Sequence, residues 1–312
     1  MKIKKVLIWI LRLCLLVILF NIFFIGGSLA VSGLIPDIKS EPGLVAPETA
    51  LMIMGIVNTL LIIALIKSSR WSGFKLALGL SFSYYGVVTF MMQIETWYFL
   101  SDITVGKQLL SRLFLMGMPV AFVFIPLSVW ILGKWKATAE EISPNPILEM
   151  PIKQWVWKFA AIALSYLLLY WCAGYFIAWQ NPELRAFYGS PGPALPFVAH
   201  TLHTLMNDPW LFLFQIFRAI LWTVFALPII FSSRFNAYWT AIILGLLLSV
   251  PQNIGHILEN PLMPIASVRI SHMIETASST FIFGLIIVWL LHRRHSSIKD
   301  LFGIGAIKEY NS

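Results

Sequence analysis

A chain of 312 residues that is 59% hydrophobic and 12% charged, with a mean hydropathy of +0.82, is too poor in charge for an ordinary soluble domain, where about a quarter of residues are charged. The formal net charge of +8 is assigned to membrane topology and not to nucleic acid, because Lys and Arg accumulate on the cytoplasmic side of membrane proteins. Two cysteines, Cys14 and Cys172, build neither a disulfide framework nor a Cys-based zinc site.

Apolar blocks of about 20 residues, the length that crosses a bilayer at ~1.5 Å per residue, alternate with short polar gaps. Eight spans are predicted, over 6–29, 48–67, 76–95, 113–133, 155–178, 210–231, 237–257 and 268–292. The first follows Lys2, Lys4 and Lys5. Its apolar stretch is longer than a signal-peptide core of about 7–15 residues, so a retained helix is expected. With the N-terminus placed in the cytoplasm, sixteen of the 22 Lys and Arg fall inside. Lys39, Lys107, Arg112, Arg185 and Arg269 fall outside, and Arg218 falls within a span. This sorting predicts an even number of helices with both termini cytoplasmic, in a plasma membrane of the bacterial inner-membrane type.

Two connections are longer. The inner one, 134–154, is polar and contains Pro, as a hinge between halves would. The outer one, 179–209, holds Glu183, Arg185, His200, His203 and Asp208 and is read as a solvated loop, the alternative being a short surface helix over 197–206 that points the rings of His200 and His203 at the pocket. An internal echo also appears. Ser68-Ser69-Arg70-Trp71 recurs as Ser232-Ser233-Arg234-Phe235, and at the same shift Glu95 falls on Glu259. Two parallel four-helix halves, 1–145 and 146–312, are therefore expected, related by an axis along the membrane normal.

The polar focus is the stretch from Ser249 to Ser278, with His256/Glu259 and His272/Glu275 as paired His-x-x-Glu and Arg269 between them. Helix rise places Glu95 ~30 Å above Lys75, and Arg218 ~24 Å above Arg234. Asn253 and His256 lie ~27 and ~32 Å above Phe235. Glu275, His272 and Arg269 lie ~27, ~32 and ~36 Å above Arg293. Acids and bases from four spans thus reach one outer band, while the inner halves of those helices hold few ionisable groups. A membrane-embedded Arg costs about 2.5–3.5 kcal/mol even on the lenient insertion scale, so Arg218 needs a counterion, with Glu275 or Glu95 nearest in depth. Asn21 and Asn58 are read as interhelical hydrogen-bond partners. Pro119 and Pro228 are read as kinks, and Pro251 as loosening the seventh span.

His256, His272 and Glu275 have the donor types of a zinc or iron site. The spacing is not the His-Glu-x-x-His of zinc peptidases. Walker, dinucleotide, Gly-x-Ser-x-Gly and EF-hand patterns are absent, as are the Glu-Glu-x-x-x-Arg and Phe-x-x-x-His patterns of the intramembrane protease that cleaves prenylated proteins. Three functions fit this reading. The first is a carrier of a small anionic solute or ion, using Glu95, Arg218, Asn253, His256, Arg269, His272 and Glu275. The second is a membrane-embedded, metal-assisted or metal-free enzyme acting on a lipid or membrane-anchored substrate at the outer leaflet. The third is a non-catalytic assembly protein whose polar focus ties helices together.

Overall fold

The computed structural model describes residues 2–101, 103–136, 150–295 and 298–302. It is all-helical, and eight of its described helices are long and apolar enough to cross a membrane. These are α1 (Lys4–Val31), α2 (Pro47–Ser68), α3 (Gly73–Leu100), α4 (Lys107–Ile131), α5 (Ile152–Ala178), α8 (Pro209–Ser232), α9 (Ala237–Ile257) and α10 (Ala266–Leu291). Two shorter helices, α6 (Pro182–Phe187) and α7 (Phe197–Asn207), lie between α5 and α8. Each span prediction therefore lands on a helix, displaced by a few residues at its ends. Most of the expected hinge, 137–149, lies outside the described residues.

The helix pairings are reciprocal. α2 packs on α9 as α8 packs on α3, and α1 meets α2 and α4 as α5 meets α8 and α10. The turn that leaves α2 and the turn that leaves α8 meet at one point, where Ser69 and Ser233 form an antiparallel bridge. Arg70 N donates to the Ser232 carbonyl at 2.6 Å, and Arg234 N donates to the Ser68 carbonyl at 2.9 Å. Trp71 N and Phe235 N each donate to the hydroxyl two residues earlier, on Ser69 and Ser233. A helix end leaves backbone groups without intrahelical partners, and unmet groups are costly when buried. Here each turn satisfies the other. The Arg70 guanidinium adds two bonds to the Ser233 carbonyl, at 3.1 and 2.9 Å, which Arg234 does not reciprocate.

α9 and α10 approach each other through glycine. A Cβ on Gly284 would lie 2.6 Å from Gly245 Cα. Small residues let transmembrane backbones pack closely where no hydrophobic drive exists between helices. Asn58 bonds across helices as expected, accepting from Tyr84 Oη at 2.7 Å. Asn21 does not. Its amide donates to Val17 in its own helix, and the side chain rests on Gly55. α8 runs through Pro228 and α9 through Pro251. Just past Pro251 the amides of Gln252 and Asn253 turn back onto the carbonyls of Leu248 and Ser249. α4 carries a π-turn, Val120–Phe124, immediately after Pro119. α3 and α5 carry others, at Gly86–Phe90 and Gly174–Ala178.

Replacing Gly284 by Leu is predicted to force α9 and α10 apart, at about 1–3 kcal/mol for an overpacked core. Gly26→Ala, where a Cβ meets nothing within 4 Å, is the matched control and should leave the melt unchanged. Thermal unfolding in detergent, followed by size-exclusion fluorescence, separates the two.

Candidate functional site

Where α3, α5, α8, α9 and α10 reach the end of the bundle that carries α6 and α7, they surround a cavity of about 640 Å³. It goes no deeper than Met92 on α3, Tyr170 on α5 and Thr276 on α10. Beyond it the bundle is filled by side chains such as Tyr166, Trp222, Phe225 and Phe283.

Arg218 anchors the floor. It is 3% exposed, and its Nη2 lies 2.5 Å from Glu95 Oε2 on α3. Nη1 donates to Gln215 Oε1 at 3.0 Å, one turn earlier on α8. The guanidinium carbon lies 5.7 Å from the Phe214 ring centre and 5.9 Å from that of Tyr166. Nε has no partner. A void of about 20 Å³ beside it is lined by Glu95, Tyr166, Tyr170, Gln252 and Glu275. Glu95 and Glu275 border both spaces, so the ion pair joins the floor to the cavity.

A hydrogen-bonded chain stands on the wall. Tyr188 Oη lies 2.9 Å from His272 Nε2, and His272 Nδ1 lies 3.2 Å from Glu275 Oε2. His272 and Glu275 are neighbours on one face of α10 because residues three apart share a helix face. The Glu275 carboxylate only accepts when ionised, so it selects the tautomer with hydrogen on Nδ1 and leaves Nε2 to accept from Tyr188. Burial, and then the charges of Glu95 and Glu275, push the Tyr188 phenol above its usual pKa, which keeps the O–H as a donor. Behind the chain, Thr276 Oγ1 lies within hydrogen-bond reach of both Asn253 Oδ1 and the His272 carbonyl, and its one hydrogen serves one of them at a time.

The rest of the wall is aromatic. Tyr98 stacks on Phe214 at 4.3 Å and donates to Asp208, whose carboxylate also caps α8 by accepting from Leu211 N at 3.3 Å. His200 sits among Trp171, Tyr175 and Trp179, with ring centres 5.8, 5.4 and 5.3 Å away. Arg185 lines the cavity, but its guanidinium is committed to the carbonyls of Gly192 and Trp179.

The residues singled out in the sequence divide three ways. Glu95, His256, His272 and Glu275 line the cavity, with Arg218 directly beneath Glu95. Asn253 lies behind Thr276 and does not line it. Arg269 is elsewhere. It is 1% exposed and grips four carbonyls, those of Glu41, Pro42, Met263 and Pro264. It thus ties the loop after α1 to the turn before α10. Glu259 is exposed and accepts from Ser40. His200 and His203 lie on the helix α7 and line the cavity, which agrees with the alternative of a short helix over 197–206 and not with the favoured solvated loop.

Among the described residues no three His, Cys, Asp or Glu gather as a ligand group. Both ring nitrogens of His272 are engaged, by Tyr188 and Glu275. Neither Tyr188 nor Tyr98 stands out in the sequence. Tyr next to an apolar block reads as an interfacial anchor, and nothing in the spacing reports the chain crossing back over α10. Against family models, curated protein sequences and solved structures, the chain matches none.

Removing one member of a buried ion pair costs more than removing both, because one charge is left unpaired. Glu95→Gln is therefore expected to destabilise by about 3 kcal/mol, and Glu95→Gln with Arg218→Gln by less. A double-mutant cycle of thermal melts measures this. A second expectation concerns acid. Burial first, then His203, holds His200 below its usual pKa. Its unfolded form takes a proton near pH ~6.5, so its share of stability is complete above that pH and is lost as pH falls towards the depressed folded value. His292 and His295 are shifted the same way. Melts between pH 7.5 and 5 should therefore fall in both proteins, but less steeply in His200→Gln than in the unmodified chain.

Proposed function

We propose that this protein is a membrane-embedded enzyme that moves a proton on a lipid or otherwise membrane-anchored substrate at the outer leaflet. The observation that carries this reading is the Tyr188–His272–Glu275 chain facing a cavity open at one end of the bundle. A base held in its tautomer by a carboxylate, and bonded to a hydroxyl, is the arrangement of an activated hydroxyl or a general acid–base pair. In this reading Glu275 orients His272, His272 takes or returns the proton, and Tyr188 delivers it to the substrate. Glu95 and Arg218 hold the floor and fix Glu95 as the negative wall of the cavity. His256 contributes a second imidazole to the same space. The orientation argued from basic residues puts the cavity on the outer side and both termini in the cytoplasm. The bilayer is the partner this requires, and no nucleic acid is involved.

A carrier of a small solute or ion is the second reading. The reciprocal packing of α2 on α9 and α8 on α3 favours it, because it supports two parallel four-helix halves, and such halves commonly rock about a site between them. Against it stands the packing beyond the small void under the cavity, where Tyr166, Trp222, Phe225 and Phe283 fill the bundle.

The test is incubation of the purified protein in liposomes of its host's total polar lipids, followed by mass spectrometry of the lipids. A new lipid species is expected, formed about 10²–10⁴-fold more slowly by His272→Gln, the span that general acid–base catalysis covers. An unaltered lipid spectrum together with solute uptake into the liposomes would overturn the enzyme in favour of the carrier.

A further inference from the structure

The helix α7 has two faces that point to different media. His200, His203 and Thr204 line the cavity. Val198, Leu202, Leu205 and Met206, spaced at i, i+4, i+7 and i+8 on the opposite side, are exposed, Met206 at 79%. An apolar stripe at this spacing is normally buried. Neighbouring membrane helices show what covers it. Phe197 of α7 stacks on Phe176 of α5 at 5.1 Å, and Thr201 accepts from Trp171 Nε1 at 2.7 Å. Trp171 lies seven residues before the end of α5, which is ~10 Å of helix rise. α7 therefore lies alongside the last two turns of a membrane span, at the depth where an amphipathic helix rests in the headgroup–acyl boundary. Trp210, Leu213 and Phe217 of α8 and Phe176 of α5, all on membrane-spanning helices, are exposed as well.

We infer that α7 is the wall between the cavity and the outer lipid leaflet, and that the substrate is an amphiphile whose polar group enters sideways past it while its acyl or isoprenoid tail stays in the bilayer. This rests on the enzyme reading and adds the substrate class and its route. The chain on either side of α7 suits displacement of the helix as a unit. Before it come Gly189 and Gly192, at φ +77° and +115°, and then Pro193 and Pro196. After it comes Asp208-Pro209. Arg185 secures the near end of this segment through the Gly192 carbonyl, so movement is confined to the residues beyond. His200 and Thr201 latch α7 to α5 through rings and one hydrogen bond, contacts that can break and reform without burying a charge.

The test uses the full chain with Cys14 and Cys172 changed to Ser, in phosphatidylglycerol/phosphatidylcholine vesicles. Nitroxides at Met206→Cys and Leu202→Cys should be relaxed by oxygen more than by a water-soluble nickel chelate, as at Phe217→Cys. Relaxation mainly by the nickel chelate would put the stripe in water and overturn the inference. A phospholipid carrying a diazirine near its headgroup should label cavity peptides containing Tyr98 or Tyr188. Tethering α7 to α5 through a short thiol linker between Phe176→Cys and Phe197→Cys should abolish that labelling and spare labelling of the outer surface. Cavity labelling that survives the tether would overturn the route. If the route fails while His272-dependent lipid turnover persists, the enzyme reading stands alone. If the cavity is labelled and no turnover occurs, the portal stands and the chemistry falls.

Discussion

A guanidinium in the middle of a helix bundle has to be answered, and Arg218 is answered by Glu95. That requirement arranges much of what surrounds it. To reach Arg218 on α8, α3 must present Glu95 about one and a half turns before its end, and Gln215 must sit one turn earlier on α8 to take a second N–H. Phe214 and Tyr166 enclose the charge with rings. Once the pair is made, the floor of the cavity is charged but neutralised, and the layer beneath it can be apolar. The pair therefore separates the end of the bundle that holds the cavity from a dry, filled one.

The dry end has its own organising contact. The two Ser-Ser-Arg turns close on each other through backbone bonds that neither could make alone. That contact holds α2 and α3 against α8 and α9, which are the helices that deliver Glu95, Arg218 and His256 to the cavity. The end that holds the cavity is less regular. α6 and α7 cover it, Asn181 bonds Ser267 and Ser271 on α10, and Arg269 straps the loop after α1 to the turn before α10. The cavity lies where these additions interrupt the reciprocal helix packing.

The helices were legible because hydrophobic length is the strongest signal a membrane sequence carries, and the polar band was legible because helix rise converts residue number to depth. Depth does not give azimuth. Arg269 shares the depth of His272 yet turns to the carbonyls of a loop that no periodicity describes. Asn253 shares the band but serves Thr276 from behind. His200 and His203 were legible only as an alternative: their i, i+3 spacing allowed a short helix over 197–206, and the structure has one at Phe197–Asn207. Tyr188 was the largest omission, because a tyrosine beside an apolar block looks like an interfacial anchor until a histidine is found bonded to it. The sequence displayed ligand types, but ligand types do not show how they are placed: the two nitrogens of His272 are bonded to Tyr188 and Glu275.

The account turns on His272 being held between a carboxylate and a phenol. Nitrogen-15 solid-state NMR of the histidine side chains in lipid, with His272 assigned by substitution, tests this directly. The account predicts hydrogen on Nδ1, donated to Glu275, and an Nε2 resonance shifted by an accepted hydrogen bond that disappears in Tyr188→Phe. An imidazole with hydrogen on Nε2, or an Nε2 signal indifferent to the loss of the Tyr188 hydroxyl, would contradict it.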